Sequence, residues 1–442
     1  MTASVSTERR SEIIDALRRG TVPARGLDVL AVGLDRFAPT FDADLDRVAS
    51  GAGVFKAIRG EYGSGKTFLA RWLAERAKAR GLAAAEVQIS ESDTPPHRYQ
   101  TIYRRLVEQL STTSVRTGAL RSIVDSWFFT LEEDVLSGGG VDRGDPGALT
   151  AATGALMEQR LGAITRTAPA FAAVLRAYLE ATNAGDRATA DGLLAWLGGQ
   201  PHVAAAIKRS AGVKGDLDHD AALSFLAGLL SVLRDAGYPG LVLVLDEVET
   251  MQRMRSDVRD KGLEALRKLI DDLYEGRFPG LELVITGTPA FFDGPQGVQR
   301  LPPLTQRVAT DFDTDARFDN PRAVQVRLPG FTLDSLTAVG RRVRDLYAQG
   351  ASEPARISKA VDDAYVADLA RAVAGELGAK VGVAPRLYIK KLVGDVLDRV
   401  DLHPDFDPRV DYRLTVADTE LTDVERNARA AASSPDDIDL EL

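Results

Sequence analysis

The sequence predicts an α/β fold: a parallel β-sheet interrupted by a large helical insertion and closed by a C-terminal helical lid. Three observations carry this. The run Val54–Ile58 is a short apolar strand, followed by the glycine-rich stretch Gly60–Gly65 and an amphipathic helix. Leu241–Leu245 is a continuous apolar run ending in two carboxylates, Asp246 and Glu247, which reads as a central parallel strand buried on both faces. Leu281–Ile285 is a further such strand that ends in polar residues.

The spacing Gly60-x-x-x-x-Gly65-Lys66-Thr67 is that of a P-loop. Glycines let consecutive backbone N–H groups converge on an anion, and the helix that follows aims its N-terminus at the same anion. Gly60, Glu61, Tyr62, Gly63, Ser64, Gly65, Lys66, Thr67 and Phe68 are therefore the predicted ATP-binding stretch. Lys66 would reach the β/γ-phosphates and the Thr67 hydroxyl would coordinate Mg²⁺. Four such fixed positions arise by chance in roughly one of several tens of chains this long. Chance would not also supply the strand before them and the helix after, with Phe68, Leu69, Trp72 and Leu73 on one face.

The chain has 442 residues, 45% hydrophobic and 27% charged, ordinary for a soluble protein of two or three domains. It has no cysteine, which excludes disulfides, thiolate metal sites and a cysteine nucleophile. The first residues lack the apolar core of a secretory leader. No apolar run approaches the roughly 20 residues of a membrane span. The formal charge is −9, and residues 401–442 hold twelve acidic residues against four arginines. The preceding 400 residues are thus nearly neutral, so global acidity does not speak against nucleic acid as a partner.

In order, residues 1–50 form a helical segment leading into the nucleotide-binding core. Ile13, Ile14 and Leu17 face inward on its first helix, and a second runs from about Phe41 to Val48. Residues 23–37 are placed over the adenine by analogy with other P-loop ATPases. The core takes residues 51–114 and 236–330. Ala83–Ile89 reads as the second strand, and a helix spans about His97 to Leu110. Residues 115–235 are helical, broken by glycine clusters, and form an insertion long for a βα connection. Within it Leu136-Ser-Gly-Gly-Gly140 resembles an ABC-transporter signature, but it runs into a loop rather than opening a helix, and that reading is rejected.

A carboxylate at the end of a buried strand costs free energy unless something pairs it, and open α/β sheets bind ligands at that edge. Asp246 would hold Mg²⁺ through water, and Glu247 would polarise the water that attacks the γ-phosphate. Glu249 is a candidate for supporting them. Thr286 or Thr288 sits where an additive-strand (ASCE) NTPase keeps a sensor between the carboxylates and the γ-phosphate. The alternative is a strand-end turn, since Gly-Thr-Pro is good turn chemistry. Six cations lie between Arg253 and Lys268, suggesting contact with phosphates unless they form a solvated face balanced by Glu264, Asp271 and Asp272. A helix over Val298–Val308 carries Arg307, the first choice for an arginine acting on a neighbouring subunit's γ-phosphate, with Arg300 second. The fifth strand is expected over Ala323–Leu328.

Residues 331–402 form the lid, with helices over Leu333–Leu346, Ile357–Leu377 and Pro385–Val400. Arg386 opens the last of these and suits a lid arginine reaching back to the γ-phosphate; a surface arginine is the alternative. Residues 403–442 read as an acidic, mobile tail. The four histidines are scattered, without metal-ligand spacing.

With this strand order the chain resembles the initiator-like branch of the AAA+ ATPases. More specifically, Gly-Glu-Tyr-Gly-Ser-Gly-Lys-Thr-Phe (60–68), Ala-Glu-Val-Gln-Ile-Ser (85–90) and Asn-Pro-Arg-Ala-Val-Gln-Val-Arg-Leu-Pro-Gly-Phe (320–331) resemble the BrxD family of ATP-binding proteins from BREX phage-defence systems. The resemblance covers nearly the whole chain. It implies a bacterial cytoplasmic protein that binds ATP and Mg²⁺ and acts with itself or other defence components, with a helicase and DNA as further partners. It also implies antiviral defence and ATP hydrolysis, with Lys66, Glu247, Thr286, Arg307 and Arg386 in the catalytic roles. A DNA-binding winged helix of the kind many initiator-like relatives carry is not expected after the lid, so DNA contact by that route is not expected either. Two other readings use the same residues: a non-hydrolysing, ATP-dependent switch or scaffold, and a small-molecule kinase.

Overall fold

In a computed structural model, residues 5–142, 144–378, 382 and 384–432 are described. Helix α1 (Thr7–Arg18), capped by the Ser6 hydroxyl, buries Ile13, Ile14 and Leu17. Helix α2 (Ala38–Ala49) leads into β1 (Val54–Arg59), the glycine-rich loop, α3 (Lys66–Ala79), β2 (Ala83–Gln88) and α4 (Tyr99–Gln109). The insertion supplies α5 (Leu120–Ser137), α6 (Pro146–Thr167), α7 (Pro169–Asn183), α8 (Arg187–Leu197), α9 (Ala205–Ser210) and α10 (His219–Asp235). Asp145, Asp186 and Asp218 accept N–H groups at the starts of α6, α8 and α10, satisfying donors the helices cannot satisfy themselves. β3 (Leu241–Asp246), α11 (Ser256–Tyr274), β4 (Leu281–Gly287), α12 (Pro289–Asp293), α13 (Pro302–Val308) and β5 (Gln325–Arg327) complete the core.

The five strands are parallel, in the order β2-β3-β4-β1-β5. This is the predicted P-loop fold of the AAA+ type: β3 lies next to β2, and β4 separates it from β1, so the loop after β1 and the carboxylates after β3 open at one edge. β1, β3 and β4 are buried along their whole length, as their apolar runs require. The expected strand over 323–328 is regular only across Gln325–Arg327, although Ala57 N and Leu328 N extend its backbone pairing by one bond at each end. The helix expected over 298–308 begins instead at Pro302, since prolines at 302 and 303 suit only a helix's first turn.

One sheet face packs on α2 and α3 through Leu45, Val48, Ile58, Leu73, Val244 and Val284. The other shares a single core with the insertion, in which Leu243 and Ile285 of the sheet join Trp127, Phe171 and Phe225. The insertion is thus built onto the sheet rather than beside it. Tyr103 Oη donates to Leu197 O at 3.1 Å, tying α4 to α8.

Under α2 the apolar layer holds three ionisable groups. Lys56 Nζ stands 3.3 Å from Asp44 Oδ2 and donates to the carbonyls of Arg322 and Ala323 at 3.2 and 2.9 Å. Glu282 in β4 is fully buried, and neither carboxylate oxygen has a hydrogen-bond partner.

The lid comprises α14 (Leu333–Ala348), opened by a Thr332–Ser335 capping box, then α15 (Pro354–Ala360) and α16 (Asp363–Glu376). The single helix expected over 357–377 is two, because Asp362 leaves helical geometry to cap α16 by accepting Tyr365 N. Helix α17 (Pro385–Lys390) continues through a π-helical segment, Lys391–Leu397, into α18 (Asp398–Leu402). The lid core is completed by α1, whose Ile13, Ile14 and Leu17 pack with Leu336, Val343, Leu387 and Val393. Residues 403–432, expected to be mobile, run along the lid and end in α19 (Asp423–Ala432), with Leu421 and Glu425 buried. Two lysines and an arginine of the lid hold their carboxylates, which an all-solvated reading of the acidic charge did not anticipate. The last part of that predicted tail, 433–442, lies outside the described residues.

Candidate functional site

At the C-terminal edge of the sheet the loop after β1 bends at Gly63 (φ +82°) and Gly65 (φ +92°), conformations that side-chain-bearing residues resist. A Cβ at Gly60 would lie 2.3 Å from Ser64 Oγ. The loop is therefore a cradle that only this glycine pattern closes. Helix α3 starts at Lys66, directing its first N–H groups into the loop. Lys66 is buried; its Nζ donates to Gly60 O and Glu61 O at 2.9 and 3.2 Å and stands 3.9 Å from Glu249 Oε1.

The strand-end residues form one hydrogen-bonded set. Thr67 Oγ1 donates to Asp246 Oδ2 at 2.9 Å. Thr286 Oγ1, fully buried, donates to Asp246 Oδ1 and accepts from Glu247 N at 3.1 Å. Of the two threonines considered, Thr286 touches Asp246; Thr288 stands at the start of α12. Glu247 takes a left-handed backbone, φ +59°, which costs a residue with a Cβ of order 1 kcal/mol. The Thr286 bond to its N–H helps hold that conformation. Its carboxylate accepts from Gln88 Nε2 at 2.8 Å.

Gln88 went unnoticed in the sequence. The signal was there: it is the last residue of β2, and the parallel register sets it opposite Asp246. Glu249 also matters more than its sequence position suggested. Both its oxygens are buried without hydrogen-bond partners, and burial raises its carboxyl, with Lys66 opposing. Burial likewise lowers Lys66 against the pull of Glu249 and Asp246. Lys66 and Glu249 are both buried, and burial magnifies the interaction between their charges.

Hard oxygen donors standing side by side, Thr67 Oγ1 and the Asp246 carboxylate, suit Mg²⁺, which takes one or two protein ligands and completes its shell with phosphate and water. Among the described residues no group of three or more acidic or histidine side chains could hold a metal unaided. The donor set thus fits a metal brought with a nucleotide.

A cavity of about 410 Å³ adjoins the loop, bounded by Gly63–Phe68, Glu247 and Glu249 at one end. Its other walls come from Leu30, Leu34 and Phe37, from Leu328–Phe331, and from Pro385, Arg386 and Ile389 of the lid. The segment assigned by analogy to the adenine thus lines this cavity. Arg386 is at its wall, but its guanidinium is held by Glu425 (Nε to Oε1 3.0 Å) and by Glu420 O at 2.6 Å.

The structure does not bring Arg307 or Arg300 to this cavity. Arg307 pairs with Asp271 of α11 and donates to Pro303 O; Arg300 pairs with Asp260. The cations around α11 are largely engaged within the same surface: Arg267 with Glu264 and Asp271, Lys268 with Asp272, and Arg255 with Asp257. Arg259 is buried and donates to Gln252 O. This is the balanced face weighed above against a phosphate-binding one.

No helix among the described residues is long and apolar enough to cross a membrane. No curated protein matches the chain. Among solved structures, the Aeropyrum pernix ORC2 protein in its ADPNP–ADP complexes is 13% identical, with TM-score 0.34, over 81% of this chain and 66% of that one. The Aeropyrum pernix ORC1 protein in complex with DNA is 14% identical, with TM-score 0.32, over 84% of this chain and 69% of that one. The model of the BREX system ATP-binding proteins BrxC/D matches residues 5–416. With nearly the full length matched, and a phosphate-binding loop facing paired carboxylates across the sheet edge, the chain belongs to the BrxC/D family of BREX system ATP-binding proteins.

Proposed function

We propose that the protein is a Mg²⁺-dependent AAA+ ATPase that hydrolyses ATP to ADP and phosphate in bacterial anti-phage defence. The observation that carries this is the joining of Thr67, Asp246, Thr286 and Glu247 into one hydrogen-bonded set beside the phosphate loop. Backbone N–H groups of residues 60–68 and Lys66 would bind the phosphates, with the triphosphate drawing Lys66 away from the Gly60 and Glu61 carbonyls. Thr67 and Asp246 would hold Mg²⁺, which when bound neutralises charge across the β- and γ-phosphates. Glu247 would take the proton of the attacking water. Thr286 connects Asp246 to the Glu247 backbone and would keep metal ligand and base in register.

Arg307 is proposed to act on a neighbouring subunit's nucleotide, which requires self-association and release from Asp271. Arg386 would contact the γ-phosphate from the lid. The cytoplasm is the proposed location, with other defence proteins, a helicase or DNA as partners. The second reading, a non-hydrolysing switch or scaffold, is favoured by the engagement of two key groups elsewhere: Glu247 by Gln88 and Arg386 by Glu425.

Phosphate release from Mg-ATP, with and without DNA, separates the two. Glu247→Gln is expected to keep ATP binding and to lower turnover by roughly 10²- to 10⁴-fold. Hydrolysis by this variant at the wild-type rate would remove Glu247 from its role. A native mass that stays monomeric with ATP would exclude Arg307 acting in trans.

A further inference from the structure

The lid helix that lines the cavity through Pro385, Arg386 and Ile389 carries three cations in succession: Arg386 at the cavity wall, then Lys390 and Lys391 beyond it. All three are occupied by the chain's own C-terminal segment. Arg386 donates to both oxygens of Glu425 and to Glu420 O. Lys390 and Lys391 donate to Glu420 at 3.2 and 2.9 Å. Glu425 is only 2% exposed and accepts two further bonds from Thr422, from its N at 2.8 Å and its Oγ1 at 3.0 Å. The family match ends at residue 416, so these carboxylates are contributed by chain beyond it.

We propose that residues 417–432 are an internal pseudoligand: Glu425 occupies the guanidinium of Arg386 in place of a nucleotide's terminal phosphate, and ATP displaces the segment by competing for that arginine. This rests on the reading of the cavity as the ATP site. The physical basis is shared chemistry. A guanidinium binds carboxylate and phosphate oxygens through the same planar fork, and Arg386 has one such fork. The aliphatic stem of Arg386 packs against Gly20, where a Cβ would meet its Cγ at 3.5 Å, so the side chain is confined to the short stretch between the cavity and α19. An occupied guanidinium lowers apparent affinity in proportion to the fraction of molecules in which it is free. ADP lacks the γ-phosphate that would compete for Arg386 and should be indifferent to the latch. The freed α19 would report the triphosphate state at the lid surface.

The test uses the full chain, titrated with ATPγS and with ADP. Glu425→Gln is expected to tighten ATPγS binding about ten-fold, to leave ADP binding within two-fold, and to have no effect on ATPγS in the Arg386→Ala background. In the wild type, ATPγS but not ADP is expected to accelerate trypsin cleavage after Arg426 and Arg429, a readout independent of any variant's folding. Wild-type binding of both nucleotides, with Glu425→Gln equal to wild type and cleavage unaffected by ATPγS, overturns the latch and leaves the ATP site standing. Tightening that persists without Arg386 overturns it too. Failure of the wild type to bind either nucleotide overturns both readings.

Discussion

Glu282 should make the protein less stable as the pH rises from 4.5 to 8. The side chain is fully buried beneath α2, with no hydrogen bond to either oxygen. Burial, with the Asp44 carboxylate adding and Lys56 opposing, raises its carboxyl from 4.5 to about 8. Lys56 cannot offset the rest, because its ammonium is shared between Asp44 and the 322 and 323 carbonyls. The folded state therefore keeps a proton at neutral pH that the unfolded chain releases above 4.5. Stability falls wherever the folded state holds more protons. At about 1.36 kcal/mol per pH unit, the full window corresponds to roughly 4 to 5 kcal/mol. Glu282→Gln has nothing to titrate. Chemical denaturation at pH 5, 6.5 and 8 should show wild type losing about 4 kcal/mol relative to the variant across that range. The Gln amide leaves unpaired polar atoms costing about 1–3 kcal/mol at every pH, which shifts the offset and not the slope. A stability difference that stays flat from pH 5 to 8 would sink the argument. The effect would also reach the site, since Thr286 lies four residues along the same strand face.

Two further outcomes follow from contacts already described. Gly60→Ala places a methyl 2.3 Å from Ser64 Oγ; nucleotide affinity should fall by about two orders of magnitude, or some 3 kcal/mol, with the fold retained. Nucleotide titration checks this, and wild-type affinity would mean the loop opens more easily than its packing implies. For Glu420, burial opposes ionisation, but hydrogen bonds from Lys391, Ala417 N and Lys390 outweigh it and hold the carboxyl at about 2. Its contribution is present above 4.5 and lost as pH falls toward 2. At pH 7 Glu420→Gln should loosen residues 417–432 by about 2–3 kcal/mol, seen as faster trypsin cleavage after Arg426. Pepsin digestion at pH 2 should no longer distinguish it from wild type.

The parts of this molecule legible in the sequence are those set by near neighbours. The phosphate loop needs its glycines at fixed spacing, and β1, β3 and β4 announce themselves as apolar runs because both faces are covered. Thr286 and Asp246 end two such strands, so their meeting could be inferred from sheet order alone. Gln88 needed the register of β2 against β3 as well. The Arg386–Glu425 pair spans 39 residues and joins two helices whose packing no local pattern encodes. The role of α1 was hidden for the same reason: Ile13, Ile14 and Leu17 show an inward face but not which core receives it. The acidic tail misled because charge density was taken for solvation, while Glu420 and Glu425 are there to meet the lid's cations.

Helix α1 belongs to the lid core and α2 to the sheet. Two stretches of chain therefore join these bodies, residues 19–37 and 328–332, and both line the cavity beside the phosphate loop. A body held by one tether can swing in any direction; a body held by two turns mainly about the line between them. Under the proposed function, lid motion would run mainly about that line, which passes the cavity, so a change at the phosphate loop would become a directed stroke at the lid's far side.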